Sequence, residues 1–217
     1  MSLSPNDPHA GQPVLTWGAP LDTARAALIL LHGRGSSASD IISLAGEVAG
    51  SDVAALAPQA AGNTWYPHRF LAPLTANEPY LTSALAAVGR LVHRAQAAGL
   101  ATEQIMLAGF SQGACLTLEY AARHPARYAG VIGLSGGLIG PEGTAFNYPG
   151  SLAGTPVFLG VSDNDFHVPL ARVQESAAAF ERLGAQVTAR LYPGVGHTIV
   201  SDELDFVRDL LAGVGRV

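Results

Sequence analysis

Six short apolar, β-prone runs punctuate the chain, at Ala26 to Leu31, Val53 to Ala57, Ile105 to Ala108, Tyr128 to Leu134, Pro156 to Val161 and Gln186 to Tyr192. Between nearly all of them apolar residues recur at three- and four-residue steps, which predicts helices over Ser39 to Ala49, Tyr80 to Ala98, Gln112 to Arg123, Leu170 to Leu183 and Asp202 to Leu211. In the second helix Leu81, Leu85, Val88 and Leu91 share one face, and Gly99 stands where a helix ends. Strands alternating with helices imply right-handed crossovers and a mostly parallel central sheet with helices on both faces, an α/β architecture. The run Ala26 to Leu31 has no polar alternate, as expected of a central strand buried on both sides.

Two stretches break the pattern, Gln59 to Pro79 and Gly136 to Thr155. In the first, Trp65, Tyr66 and Phe70 cluster among Gly, Asn and Pro, where a surface loop is normally polar. They either fold back onto the core or line an apolar substrate pocket.

With 217 residues, 48% hydrophobic and 13% charged, the chain is long enough for one well-buried α/β core and short for two, so a single domain over residues 1–217 is expected. The net charge is -5 and the basic residues are scattered, which excludes the basic stripe of a nucleic-acid binder and a polybasic membrane patch. Met1 to Pro20 lacks a basic start followed by an apolar core, and no stretch approaches the length of a membrane span. A cytoplasmic protein without stable membrane insertion is therefore expected. Cys115 is the only cysteine, so an intramolecular disulfide and a cysteine-based metal site are excluded.

The candidate chemistry begins at Gly109-Phe110-Ser111-Gln112-Gly113, between an apolar run and an amphipathic helix. A serine at a sharp strand-to-helix turn presents its Oγ at the apex, and small residues on either side let strand and helix approach closely. The next N–H, on Gln112, opens the helix and can stabilise a developing oxyanion. Gly133-Leu134-Ser135-Gly136-Gly137 fits the same pattern, but a breaker-rich loop follows it instead of a helix. Ser111 is accordingly the candidate nucleophile and Ser135 a strand-end serine.

A serine nucleophile needs a histidine base, and the histidine needs an acid to fix its tautomer. Of seven histidines, His93 lies within a helix, His124 at a helix end and His9 on what reads as a loose N-terminal arm. His197 follows the last strand in a glycine-flexed loop, in the order serine, acid, histidine. Asp163 and Asp165 both follow the strand ending at Val161. Asp163-Asn164 is good turn chemistry in itself, whereas Asp165 directly precedes the next helix, and we favour Asp165 although order alone does not choose. As a calcium loop the stretch fails, with Val168 where glycine and Gln174 where glutamate is required. A second oxyanion donor is expected after an early strand, where His32-Gly33-Arg34-Gly35 points to the Arg34 N–H.

These residues together resemble the phospholipase/carboxylesterase family of small α/β-hydrolases, which includes carboxylesterases, lysophospholipases and acyl-protein thioesterases. The resemblance is carried by Leu31-His32-Gly33-Arg34-Gly35, Gly109-Phe110-Ser111-Gln112-Gly113-Ala114, Asp165 with Val168-Pro169, and Tyr192-Pro193-Gly194 with Gly196-His197. It implies an α/β-hydrolase fold, cofactor- and metal-independent hydrolysis of a small-molecule ester by Ser111, Asp165 and His197, and Arg34 and Gln112 as backbone donors. It also implies that homodimers occur among similar proteins. A non-catalytic binder on the same scaffold is the alternative, usually marked by a broken triad. The chain departs from thioesterase-like members at Arg34, where they commonly carry an apolar residue, and at Thr64-Trp65-Tyr66-Pro67. Arg34 with Arg69 is therefore expected to bias the entrance toward small polar or anionic esters.

Overall fold

The computed structural model describes residues 7–215. The readings that rest on residues 1–6 and on the limits of the domain at 1 and 217 lie outside the described residues. Seven strands form one sheet, β1 (Val14–Gly18), β2 (Ala26–Leu31), β3 (Val53–Pro58), β4 (Ile105–Phe110), β5 (Gly130–Leu134), β6 (Pro156–Ser162) and β7 (Gln186–Tyr192), in the order β1-β3-β2-β4-β5-β6-β7. Only β1 runs antiparallel to its neighbour, β3, and the other pairs are parallel. The expected mostly parallel sheet is thus present, with one strand that the hydrophobic pattern does not mark. β1 is an edge strand in which only Val14 and Trp17 are half-buried, so no apolar run was needed to form it.

Six α-helices cover the sheet. Helices α3 (Tyr80–Ala97), α4 (Gln112–Arg123) and α5 (Leu170–Arg182) pack on one face, and α1 (Ala38–Ile42), α2 (Ala45–Val48) and α6 (Ser201–Gly213) on the other. Alternate residues of β2 explain its unbroken apolar run, since Ala27, Ile29 and Leu31 enter the first core while Ala26, Leu28 and Leu30 enter the second. No helix among the described residues is long and apolar enough to cross a membrane.

The segment expected as one helix over Ser39 to Ala49 is two short helices. A capping box between Ser37 and Asp40 starts α1. Ser43 then turns its Oγ onto the Asp40 carbonyl at 2.6 Å, and the following N–H groups of Leu44, Gly46 and Glu47 each bond three residues back. A serine competing for a ladder carbonyl and a tightened 3-10 turn account for the break.

Below the sheet Glu203 is 1% exposed, and a Cβ added at Gly160 would stand 1.9 Å from its Oε1, so the bare backbone of β6 is what admits the carboxylate. Glu203 accepts the Val200 N–H at 2.9 Å at the start of α6. Burial pushes its carboxyl from an ordinary 4.5 up to about 7. The folded state therefore holds the proton more tightly than the unfolded one. Stability falls as pH rises through that window, and the full penalty is present above it. Glu203→Gln, which keeps shape and acceptor, is expected to stabilise the protein by roughly 2 kcal/mol at pH 8 and very little at pH 4.5, read from urea unfolding. Equal gains at both pH values would remove ionisation as the cause.

Candidate active site

The carboxyl ends of the parallel strands carry the candidate residues, as open α/β sheets arrange them. β4 ends at Phe110, and Ser111 turns the chain into α4 with φ 56 and ψ -118, a conformation rarely adopted by a residue with a side chain. Its N–H is anchored on Leu134 O at 2.9 Å. A Cβ at Gly109 would stand 2.4 Å from Gly113 O, and one at Gly113 would stand 2.1 Å from Leu31 O and 2.6 Å from His32 O. These contacts with backbone atoms explain the two glycines. Ser135 also has a positive φ, 52, and is 2% exposed, but no helix follows it and no histidine bonds to it among the described residues. Strain alone does not distinguish the two serines; the surrounding partners do.

His197 Nε2 lies 2.7 Å from Ser111 Oγ, and its Nδ1 lies 2.7 Å from Asp165 Oδ2. The carboxylate can only accept, so Nδ1 carries the proton and Nε2 is left to receive the one on Ser111, a tautomer assigned from the network. The Asp165 side chain is fully buried, and its other oxygen accepts the N–H groups of His167 at 2.8 Å and Val168 at 3.1 Å. Burial pushes the Asp165 carboxyl up, but the bond to His197 and the two N–H donors outweigh it and hold it below the usual aspartate range.

Asp163 takes a different position. Its Oδ1 accepts the Gly194 N–H at 2.8 Å, while the Gly196 N–H goes to Asn164 Oδ1 at 2.8 Å and Ser162 Oγ at 3.1 Å. Ser162, Asp163 and Asn164 therefore tie the loop after β6 to the loop that carries His197. Sequence reasoning did not single out Ser162, and it read Asn164 only as turn chemistry. The available signal was a run of short polar side chains opposite a glycine-rich loop whose N–H groups lack regular partners.

Neither the Arg34 N–H nor the Gln112 N–H donates to another group among the described residues. Both belong to residues that, with Ser111 and His197, line a cavity of about 340 Å³. Tyr66, Phe70, Phe110 and Val168 supply its apolar walls, and Arg34 and Arg69 share the lining. A backbone donor aimed at a developing oxyanion contributes about 3 kcal/mol to the transition state. The Tyr66 hydroxyl is buried next to Cys115, whose thiol burial pushes up to about 12 and so keeps protonated.

Trp65, named with Tyr66 and Phe70 as a candidate substrate-binding residue, takes the other of the two places left open and folds back onto the core. It is fully buried and does not line the cavity; its indole N–H donates to His32 O at 2.8 Å and its ring packs 5.0 Å from that of His32. Of the three aromatics, Trp65 joins the core while Tyr66 and Phe70 face both the core and the cavity. His9 is likewise not on a loose arm. It is 3% exposed, its Nδ1 accepts the Ala61 N–H at 3.1 Å and its Nε2 donates to Trp65 O at 2.8 Å. Burial lowers its pKa and favours this neutral form.

The aromatic stretch holds its shape through polar side chains bonded to its backbone. Gln112 Oε1 accepts the Trp65 N–H at 2.9 Å and its Nε2 donates to Tyr66 O at 2.8 Å. Asn77, fully buried, accepts the His68 N–H at 2.8 Å, and Arg34 donates to Pro67 O at 2.8 Å and His68 O at 2.5 Å. Buried backbone groups without helix or sheet partners require such side chains. The Gln112 side chain and Asn77 were not legible as loop anchors, because their partners are backbone atoms more than one turn away.

Comparison with known proteins identifies the family. The sequence profile of the phospholipase/carboxylesterase family matches residues 18–214. A crystal structure of a phospholipase/carboxylesterase from Dyadobacter fermentans DSM 18053 is similar to the chain with a TM-score of 0.88 and 46% identity, over 93% of this chain and 97% of that one. Acyl-protein thioesterase 1 of Gibberella zeae is 35% identical over 52% of this chain and 49% of its own length. A probable carboxylesterase of Oryza sativa subsp. japonica is 29% identical over 63% of this chain and 60% of its own length. The chain thus spans about half to three fifths of the length of these curated relatives.

Proposed function

The chain belongs to the phospholipase/carboxylesterase family, and from that premise we propose that it is a serine hydrolase cleaving small carboxylic esters. The observation that carries the proposal is the continuous relay Asp165, His197, Ser111, with both contacts of His197 at 2.7 Å. In the proposed cycle His197 takes the Ser111 proton as Oγ attacks the ester carbonyl. The carbonyl oxygen becomes the oxyanion, facing the N–H groups of Arg34 and Gln112. Collapse breaks the bond to the alcohol, which leaves with the proton from His197. A water deprotonated by His197 then attacks the acyl-enzyme, and the acid departs as Ser111 recovers its proton. Asp165 stays ionised throughout and orients the imidazole, in keeping with its lowered pKa.

The size of the cavity supports a small ester. About 340 Å³ is near the lower end of ligand sites, which span roughly 300–1,000 Å³. Thioester hydrolysis would run through the same atoms, and similarity to an acyl-protein thioesterase supports it as the second reading. A serine-directed fluorophosphonate is expected to label the intact protein, to label Ser135→Ala equally, and not to label Ser111→Ala. Absence of labelling on the intact chain would favour a binding protein that lacks catalysis.

A further inference from the structure

We propose that the cavity selects esters bearing a free carboxylate, held by the Arg69 guanidinium together with Arg34; this deepens the esterase reading and rests on it. Every basic residue of the chain other than histidine is arginine. Arg25, Arg90, Arg123, Arg172, Arg190 and Arg208 are each paired with a carboxylate. Arg34, Arg69, Arg94, Arg127 and Arg182 are in no ion pair among the described residues, and of these only Arg34 and Arg69 line this cavity.

No aspartate or glutamate lines that cavity. The carboxylates of the adjoining loops are committed elsewhere, Asp40 to Ser36 and Ser37 and Asp165 to His197. His167 also lines the cavity, and its carbonyl receives the single long contact of the Arg69 guanidinium, at 3.5 Å. The Arg34 guanidinium is fixed by the carbonyls of Pro67 and His68, which use two of its five N–H donors. On a chain of net charge -5, two unneutralised arginines at one apolar cavity form a local positive field that would repel no anion and favour none of the neutral alternatives.

The arrangement has an amphipathic complement. Tyr66, Phe70 and Val168 accept a short hydrocarbon, and a planar guanidinium fork matches a carboxylate at its end. A neutral ester of the same length would fill the apolar part and leave the arginines to water.

The matched pair is mono-4-nitrophenyl adipate and 4-nitrophenyl hexanoate, which differ only in a terminal carboxylate against a methyl. With the full chain at low salt, kcat/KM is expected to favour the adipate by about tenfold. The ratio is expected to shrink severalfold in about 0.5 M NaCl, where exposed charges are screened. It should also fall severalfold in Arg69→Gln, be partly kept in Arg69→Lys, and be unchanged in Arg94→Gln, an exposed arginine away from the cavity. Hydrolysis of both esters with an equal or greater kcat/KM for the hexanoate would overturn the carboxylate proposal and leave the esterase reading standing. Hydrolysis of neither, with no fluorophosphonate labelling, would overturn both.

Discussion

Ser111→Ala and His197→Ala are each expected to lower kcat for a 4-nitrophenyl ester by about 10⁴-fold or more, and the double variant to fall no further. The reason is the single path for the proton. His197 Nε2 is 2.7 Å from Ser111 Oγ, so removing either partner removes the same step. What survives is binding and the two backbone donors, which do not depend on either side chain. Far-ultraviolet circular dichroism should be unchanged for Ser111→Ala, because the positive φ at this residue costs an alanine no more than a serine. Losses that multiply in the double variant would mean that the two residues act independently, which the proposed relay does not allow.

The second large effect is structural. Gly113→Ala is expected to destabilise the fold by about 4 kcal/mol or to prevent recovery of folded protein, measured by urea unfolding. The new Cβ would sit 2.1 Å from Leu31 O and 2.6 Å from His32 O, and these are main-chain atoms at the end of β2. They cannot rotate away as a flexible side chain would. Relief requires moving α4 from β2, which would also displace Gly33 and the Arg34 N–H. Gly46→Ala is the control, since an added Cβ there meets nothing within 4 Å, and it should be neutral or stabilising by up to about 1 kcal/mol. Similar behaviour of the two variants would show that close packing at the serine turn is not the reason for Gly113.

The parallel core was legible because β2, β4, β5 and β6 are buried on both faces, which leaves continuous apolar runs in the chain. β1 was not, because only two of its five residues are even half-buried, whereas β7, the other edge strand, is half-buried at four of seven. In the candidate site, Ser111, Asp165 and His197 stand out because each follows a strand and their order is restrictive, and the structure brings the three within hydrogen-bond reach. Asp165 was favoured over Asp163 from its place before the next helix, and their partners differ accordingly, Asp165 bonding His197 and Asp163 the Gly194 N–H. Trp65 was left undecided and His9 misplaced for a shared reason. Their burial comes from contacts with each other and with His32 across long sequence separations, which neither periodicity nor local composition records.

Gln112 grips the aromatic stretch only by main-chain atoms, the N–H of Trp65 and the carbonyl of Tyr66. Such a grip is blind to the side chains it holds. Residue 66 can therefore be exchanged for others of compatible size while the wall it forms stays in register with the serine turn. That makes position 66 an exchangeable wall on a fixed frame, to which Trp65, anchored to His32 O through its indole N–H, belongs.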